Sequence, residues 1–178
     1  LNNLAGLLLS PNHPDVAMTL HNLAALLENQ AKYDEAKPLC ERAIEIVEKK
    51  GKYDEAKKLR PDHPHVASGL NDLASLLESQ GKYDEAKPLY ERAIEIWKKV
   101  HGPDHPYVAT GLSNQAGLLR DQGKYDEATP LYERALGIRE ETLGPNHPNV
   151  AESLNNLAGL LQEQGKYDEA KPLYERAL

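Results

Sequence analysis

The sequence predicts an all-α solenoid of antiparallel helix hairpins, and three observations support this fold class. The motif His-Pro-x-Val-Ala begins at His63, His105 and His147, so the chain repeats itself every 42 residues. Within each repeat, apolar residues recur three or four positions apart, which is the spacing of one face of an α-helix. Proline and glycine stand where such helices would begin and end. Because a pair of short amphipathic helices cannot bury its apolar faces alone, the repeats are expected to stack.

The repeat spacing is interrupted once, near the start of the chain. A first copy of the motif begins at His13, 50 residues before His63. The extra residues coincide with an additional copy of the Lys-Tyr-Asp-Glu-Ala motif, within GKYDEAKKL at 51–59. We expect the second helix of this repeat to break at Gly51 and a short extra helix to follow. The predicted organisation is one solenoid over 1–178, comprising a partial repeat and linker (1–12), a repeat with an insert (13–62), repeats at 63–104 and 105–146, and a truncated repeat (147–178).

The first helix of each repeat, helix A, is predicted to begin at the motif proline, as at Pro148. Proline at the first helical position loses no hydrogen bond and already has a helical φ. The preceding Asn146 or Asp104 is expected to supply the capping oxygen. Helix A should end before Gly165, which is placed to adopt the left-handed conformation. Its apolar face consists of Val150, Leu154, Leu157, Ala158 and Leu161.

The second helix, helix B, is predicted to begin near Asp168, with Glu169 at the positive end of the helix dipole. Pro172 lies about one turn into the helix, where few backbone donors are lost. The apolar stripe of helix B consists of Ala170, Leu173, Tyr174 and Ala177. Alanine at fixed places in both helices favours their close packing.

These patterns resemble the tetratricopeptide repeat. The residues that carry the resemblance are Leu157 and Ala158 in helix A, Gly165 and Tyr167 at the turn, and Ala170, Tyr174 and Ala177 in helix B. The 42-residue period, LNNLAGLL at 154–161 and KYDEAKPLYERAL at 166–178 are similar to the kinesin light chain subtype, over essentially the whole chain. The resemblance implies a right-handed superhelix with helix A on the concave face. It also implies a scaffold that binds extended peptide segments in that groove.

Composition and charge exclude several classes of function. A net charge of −7 disfavours nucleic acid and anionic membranes as partners. No apolar run of about 18 residues is present to span a membrane. The single cysteine, Cys40, leaves no intrachain disulfide and suits a reducing, cytoplasmic location. Since the chain begins at Leu1 and stops within a motif at Leu178, we expect it to be a fragment, and a lost signal peptide stays an open alternative.

No set of residues predicts catalysis, a metal centre or a cofactor, so we expect a non-enzymatic protein. The motif histidines lie one repeat apart on helices that pack ~8–10 Å from one another, whereas the ligands of one zinc ion lie ~2 Å from it. Cys40 takes the place of a tyrosine found in the later repeats, at Tyr90, Tyr132 and Tyr174, and is expected to be a buried packing residue. The Asp-Glu pair recurs in every repeat, which indicates a helix start rather than a catalytic pair.

One face of helix A is the predicted peptide-binding site. Residues three and four positions apart share a helix face, and here that face is opposite the core leucines. Asparagine recurs on it, and its amide both donates and accepts hydrogen bonds, as an extended peptide backbone requires. The alternative is that these amides bond only to neighbouring helices or water. The predicted site residues are His21, Asn22, Glu28, Asn71, Asp72, Glu78, Ser113, Asn114, Arg120, Asn155, Asn156 and Gln162.

The charge of helix A predicts the kind of ligand. Its four copies contain no lysine and one arginine, Arg120, against seven carboxylates at Asp15, Glu28, Asp72, Glu78, Asp121, Glu152 and Glu163. We therefore expect a neutral or basic peptide as the partner. The alternative function is structural. In this alternative, the open ends of the solenoid stack on other copies, as part of a larger multidomain protein. The end of the last repeat would expose Leu173, Tyr174 and Ala177.

Overall fold

The computed structural model describes residues 14–53 and 63–178, and every regular element among them is an α-helix. The described residues form α1 (Pro14–Asn29), α2 (Tyr33–Tyr53), α3 (Pro64–Ser79), α4 (Tyr83–His101), α5 (Pro106–Asp121), α6 (Tyr125–Leu143), α7 (Pro148–Glu163) and α8 (Tyr167–Arg176). Helix A of successive repeats is α1, α3, α5 and α7, and helix B is α2, α4, α6 and α8. The all-α prediction is therefore confirmed.

The helices divide into two compact units, Leu1–Ile96 (unit 1) and Trp97–Leu178 (unit 2). In unit 1, α1 packs on α2 and α2 packs on α3. In unit 2, α5 packs on α6, α6 on α7 and α7 on α8. Helix α4 begins in unit 1 and ends in unit 2. The predicted organisation as one solenoid over residues 1–178 stays a prediction.

The buried cores lie between neighbouring helices, and in unit 2 helix A also completes the core of the hairpin that precedes it. In unit 2, Tyr132 and Leu136 of α6 share one buried cluster with Val150, Leu154 and Leu157 of α7. In unit 1, a smaller cluster joins residues of α1 and α2, namely Ala17, Ala43 and Ile46. The apolar face predicted for helix A, from Val150 to Leu161, is thus buried, whereas Ala170 is the only buried residue of the stripe predicted for helix B in α8.

The cap of helix A is a histidine, so the prediction that Asn146 or Asp104 would cap it was wrong. In His63, His105 and His147 the side-chain Nδ1 accepts a hydrogen bond from the backbone N–H two residues later, at 3.2, 3.2 and 3.1 Å. Burial and the neighbouring His101 lower the pKa of His105, which keeps its Nδ1 available as an acceptor. Asp104 instead forms an ion pair with Arg134. The expected structural role of these histidines is therefore helix capping, while His13 lies outside the described residues.

Helix A ends at a residue in the left-handed conformation. Gly81, Gly123 and Gly165 have φ values of +72°, +73° and +76°, which confirms the prediction for Gly165. Ala31 takes the same place in the first hairpin with φ of +56°. The left-handed region costs an L-residue other than glycine about 1–2 kcal/mol, so this turn is strained relative to the others.

Helix B begins one residue earlier than predicted, at Tyr167 rather than Asp168. The expected break of helix B at Gly51 was wrong, because α2 runs through this glycine to Tyr53. A glycine within a helix costs only about 1 kcal/mol, which is too little to end a helix that is otherwise favourable. The short extra helix expected after Gly51 lies outside the described residues.

Candidate functional site

Unit 1 brings predicted site residues of α1 and α3 into contact. The Nδ1 atom of His21 lies 3.0 Å from Oδ2 of Asp72 in the next repeat. Asn71 donates from Nδ2 to Oδ1 of the same carboxylate at 3.5 Å. Asn22 is exposed on α1, whereas Asn71 is buried. The carboxylate of Asp72 is therefore the point at which side chains of two repeats meet.

A second set of hydrogen bonds connects the two glutamates of this face. Glu28 of α1 forms a hydrogen bond with the Ser75 hydroxyl of α3. Ser75 also interacts with the hydroxyl of Tyr90 in α4. That hydroxyl donates to Oε2 of Glu78 at 2.6 Å. Neutral hydroxyl groups thus help to position both half-buried carboxylates.

Burial raises the pKa values of two carboxyl groups on this face. Burial raises the pKa of Glu28, the negative charge of Asp72 adds to the effect, and the hydrogen bond with Ser75 partly offsets it. Burial also raises the pKa of Asp72, while His21 and the Asn71 hydrogen bond act in the opposite direction. Carboxylates that are partly desolvated and close together are stabilised by an added cation. The face of unit 1 is therefore chemically suited to a cationic group.

Cys40 is buried in α2, as expected from its place in the repeat. Burial raises the pKa of its thiol to about 11, with contributions from Asp72 and Glu28. The thiol is thus protonated at neutral pH, and a protonated buried thiol is a poor nucleophile. Cysteine has no hydroxyl group. Glu28 therefore has no hydrogen bond like the one that Glu78 accepts from Tyr90.

Unit 2 presents side chains of mixed charge on the same helix A face. Nη2 of Arg120 lies 3.1 Å from Oδ1 of Asp121, which offsets much of its charge locally. Gln162 is exposed and its Oε1 accepts a hydrogen bond from the Tyr174 hydroxyl at 3.2 Å. Asn156 of α7 is half-buried. This face therefore offers amides and one guanidinium rather than a group of carboxylates.

Burial separates the predicted residues into two groups. Asn71 and Ser113 occupy matching places and are both buried, whereas Asn155 at the same place in α7 is exposed. One residue further along helix A, Asp72 and Asn114 are half-buried, and so is Asn156. A half-buried amide or carboxylate presents polar atoms to solvent while its position is held by packing. The position of Asp72, Asn114 and Asn156 is therefore better suited to direct contact with a ligand than the position of Asn71 and Ser113.

The tyrosine hydroxyl groups of helix B that hold two of these side chains were not predicted from the sequence. Tyr90 bonds to Glu78 and Tyr174 bonds to Gln162, and both pairs are 12 residues apart. The pattern was available in the sequence, since a tyrosine recurs 12 residues after a variable polar residue of helix A. Buried tyrosine normally finds a hydrogen-bond partner. The regular spacing of tyrosine thus indicated a hydrogen bond between helix B and helix A as well as packing.

Within residues 14–53 and 63–178, no three or more His, Cys, Asp and Glu side chains are grouped so as to hold a metal ion. Two histidine pairs are close, His63 with His65 and His101 with His105, at ring-centroid distances of 4.9 and 4.4 Å. No helix in this part of the chain is both long and apolar enough to cross a membrane.

Comparison with known proteins agrees with this architecture. Tetratricopeptide repeat family models match residues 16–65, 65–128 and 107–178. No curated protein matches the sequence significantly.

Solved structures of similar fold include BtubC (BKLC) from P. vanneervenii, with a TM-score of 0.78 and 25% identity over 93% of this chain and 63% of that protein. A kinesin light chain-type protein of Podosopora anserina with nearly identical TPR-like repeats has a TM-score of 0.76 and 28% identity, over 93% of this chain and 74% of the other. A variant of the same Podosopora anserina protein has a TM-score of 0.74. The present chain thus spans less than two thirds of the length of BtubC.

Repeats of this kind generally mediate interactions between proteins. The predicted fold class, a helical-repeat solenoid, is confirmed by these structures, as is the similarity to kinesin light chain-type repeats. From the matched residues, the eight described helices and the structural likeness, we conclude that the chain belongs to the tetratricopeptide repeat family.

Proposed function

We propose that the chain is a non-enzymatic interaction scaffold whose helix A faces bind an extended protein segment of neutral or basic character. The observation that supports this best is the group of half-buried carboxylates in unit 1, formed by Glu28, Asp72 and Glu78. The carboxylates of Glu28 and Glu78 interact with the hydroxyl groups of Ser75 and Tyr90, and Asp72 contacts His21 and Asn71. Nucleic acid and membrane surfaces are not proposed as partners, because the chain carries a net charge of −7.

The carboxylates supply the preference for charge. Because the pKa values of Glu28 and Asp72 are raised by burial and, for Glu28, by the charge of Asp72, a cation placed between them reduces an existing repulsion. A lysine or arginine side chain of the bound segment is such a cation. Each exposed ion pair contributes only about 0.2–1 kcal/mol, so charge adjusts selectivity rather than supplying most of the affinity.

The amides supply contacts that do not depend on the ligand's sequence. Asn22 is exposed on α1, while Asn114 and Asn156 are half-buried on α5 and α7. An asparagine amide donates and accepts at once, as an extended backbone requires. A single cysteine suits a reducing compartment, so we propose that this binding takes place in the cytoplasm.

The test is a panel of extended peptides of one length that differ in charge, measured by fluorescence anisotropy at low and high salt. We expect basic and neutral members to bind better than acidic ones, with a difference that shrinks at high salt. Glu28→Gln should weaken binding of basic members about two- to fivefold. Glu78→Lys should shift the preference toward acidic members.

Glu91→Gln is the matched control, because Glu91 is an exposed carboxylate of α4 in the same unit but lies on helix B. It changes the net charge by the same amount and should leave the peptide preference unaltered. Tighter binding of acidic peptides to the unaltered chain, or equal effects of Glu28→Gln and Glu91→Gln, would show that the ligand does not lie on helix A.

A further inference from the structure

The carboxylate of Asp72 in α3 has a histidine of the preceding repeat beside it. Nδ1 of His21 lies 3.0 Å from Oδ2 of Asp72, and the two side chains are 41% and 34% exposed. Oδ2 itself is shielded from solvent and accepts no hydrogen bond in the part of the chain that the structure describes. Because this oxygen has no free surface, a ligand cation can reach it only by displacing a group beside it. The half-exposed imidazole of His21 is such a group.

Histidine and aspartate hold these two positions in one pair of successive repeats. The corresponding positions of the later repeats hold Asn71 with Asn114 and Ser113 with Asn156. Asparagine and serine side chains stay neutral, whereas histidine changes its charge between about pH 5 and pH 8. Among these positions, that of His21 is therefore the one at which pH can alter the charge next to a ligand.

Several other titratable groups act on this site, and they come from all four helices of unit 1. They are Glu28 of α1, Cys40 and Glu41 of α2, Glu78 of α3 and Tyr90 of α4. Burial raises the pKa of the Cys40 thiol to about 11 and also raises the pKa of the Tyr90 hydroxyl, so both groups are neutral near pH 7. The other three are acidic. Within this set, His21 is thus the group that can supply a positive charge to Asp72.

We propose that His21 competes with the ligand under the control of pH: its charged imidazolium occupies Asp72, and its neutral form yields this carboxylate to a basic side chain of the bound segment. The inference rests on the proposed binding of a neutral or basic segment and names what regulates it. An imidazolium balances the charge of Asp72 and repels an added cation, whereas a neutral imidazole leaves that negative charge unbalanced. Binding of a basic segment should therefore release a proton from His21 and become tighter as pH rises.

The experiment compares two extended peptides that differ at one position, with lysine in one and norleucine in the other. Fluorescence anisotropy measures their affinities from about pH 6 to about pH 8, the range in which histidine titrates. The lysine peptide should bind the unaltered chain about two- to fivefold more tightly at the upper end, the factor expected for an exposed ion pair. The norleucine peptide should show little change. Calorimetry in two buffers of different ionisation enthalpy should show proton release when the lysine peptide binds.

His21→Asn is the test variant, since Asn71 and Asn155 hold an asparagine at this place. Near pH 6 it should bind the lysine peptide more tightly than the unaltered chain does, and it should lose most of the pH dependence and of the proton release. His21→Lys keeps the competing group charged, so its affinity should stay low throughout the range. The matched control is His65→Gln, which removes an exposed histidine of the same unit that lies beside His63. It should behave like the unaltered chain.

The possible failures are distinguishable. Weaker binding of the lysine peptide by His21→Asn near pH 6 would show that His21 is an ordinary ligand contact, and it would overturn this inference alone. A pH dependence that is absent from the unaltered chain, or that persists in His21→Asn, would do the same. Failure of both peptides to bind at any pH would overturn the proposed function and this inference with it. Circular dichroism establishes that every variant is folded.

Discussion

The hydroxyl of Tyr90 in α4 donates a 2.6 Å hydrogen bond to Oε2 of Glu78 in α3, so a buried residue of helix B positions a carboxylate on helix A. The same relationship joins Tyr174 to Gln162 at 3.2 Å. The first hairpin has Cys40 at the tyrosine's place, and Glu28 bonds with Ser75 of the following repeat instead. The glutamates of the first two repeats thus interact with different hydroxyl groups.

We expect Tyr90→Phe to lower the free energy of unfolding by about 1–2 kcal/mol, because the hydrogen bond to a half-buried carboxylate is lost. Tyr174→Phe is the matched control. Its acceptor, Gln162, is neutral and exposed, so water replaces the lost bond and the loss should be below about 0.5 kcal/mol. Urea denaturation measures both values, and equal losses would contradict the importance of the carboxylate acceptor.

Ala31→Gly should raise the free energy of unfolding by about 0.5–1 kcal/mol. Ala31 has φ of +56°, a conformation that glycine adopts without the Cβ strain. The gain is smaller than the strain itself because glycine loses more backbone entropy on folding. Thermal denaturation measures the effect. The reciprocal change, Gly81→Ala at φ of +72°, should destabilise the turn, and the same sign for both changes would refute the explanation.

The raised pKa of Glu28 predicts a dependence of stability on pH. Because its pKa is higher in the folded state, the favourable contribution is fully present below the unfolded value near 4.5 and is lost as pH rises through the folded value. Glu28→Gln does not titrate, so its stability relative to the unaltered chain should increase from about pH 4 to about pH 7. Denaturation curves across this range test the sign. A stability difference that stays constant across this range would contradict the effect of burial on the Glu28 carboxyl group.

Arg139→Ala should be strongly destabilising, by about 2–4 kcal/mol. The Arg139 guanidinium is buried and donates from Nη1 to Oγ of Ser153 at 2.7 Å and to the backbone oxygen of Asn149 at 3.1 Å. Its removal takes away the hydrogen bond to the buried Ser153 hydroxyl at the contact between α6 and α7. Arg134→Ala is the control, since Arg134 and Asp104 form an exposed ion pair whose loss should cost less than about 1 kcal/mol. Chemical denaturation distinguishes the two outcomes.

Asn156→Ala should weaken peptide binding about two- to tenfold and to a similar extent for neutral and basic peptides. The expected contact is with the peptide backbone, which all members of the panel share. Asn156 is a better probe than Asn155, because Asn156 is half-buried and held by packing whereas Asn155 is exposed. Asn146→Ala, in the exposed turn before α7, is the control. A loss confined to one peptide sequence would indicate a side-chain contact instead.

Local features of the fold were predictable because they depend on neighbours in sequence. Helix A begins at the motif proline and ends before glycine, as the conformational limits of those two residues require. The cap was mispredicted for a local reason. His147 directly precedes Pro148 and is the N-cap residue, with an extended backbone at φ of −76° and ψ of 141°, and its side chain accepts from the N–H of Asn149.

The candidate site was predictable as a set of positions but not as a set of contacts. Helical spacing placed His21, Asn71 and Asp72 on helix A, yet it gives no distance between α1 and α3. The contact of His21 with Asp72 at 3.0 Å and the burial of Asn71 depend on how neighbouring repeats pack. The proposed peptide and the residues that hold it stay a prediction.

By itself, the sequence determined that this chain forms hairpins of α-helices and that their apolar faces need neighbouring repeats. Repetition, helical spacing and the backbone limits of proline and glycine are local properties, so they can be read without a structure. The tertiary structure alone decided that α2 continues through Gly51, that Tyr90 donates to Glu78, and that Arg139 is buried against Ser153. These outcomes depend on which helix lies beside which, because hydrogen bonds and burial act over a few ångströms between residues that are distant in sequence.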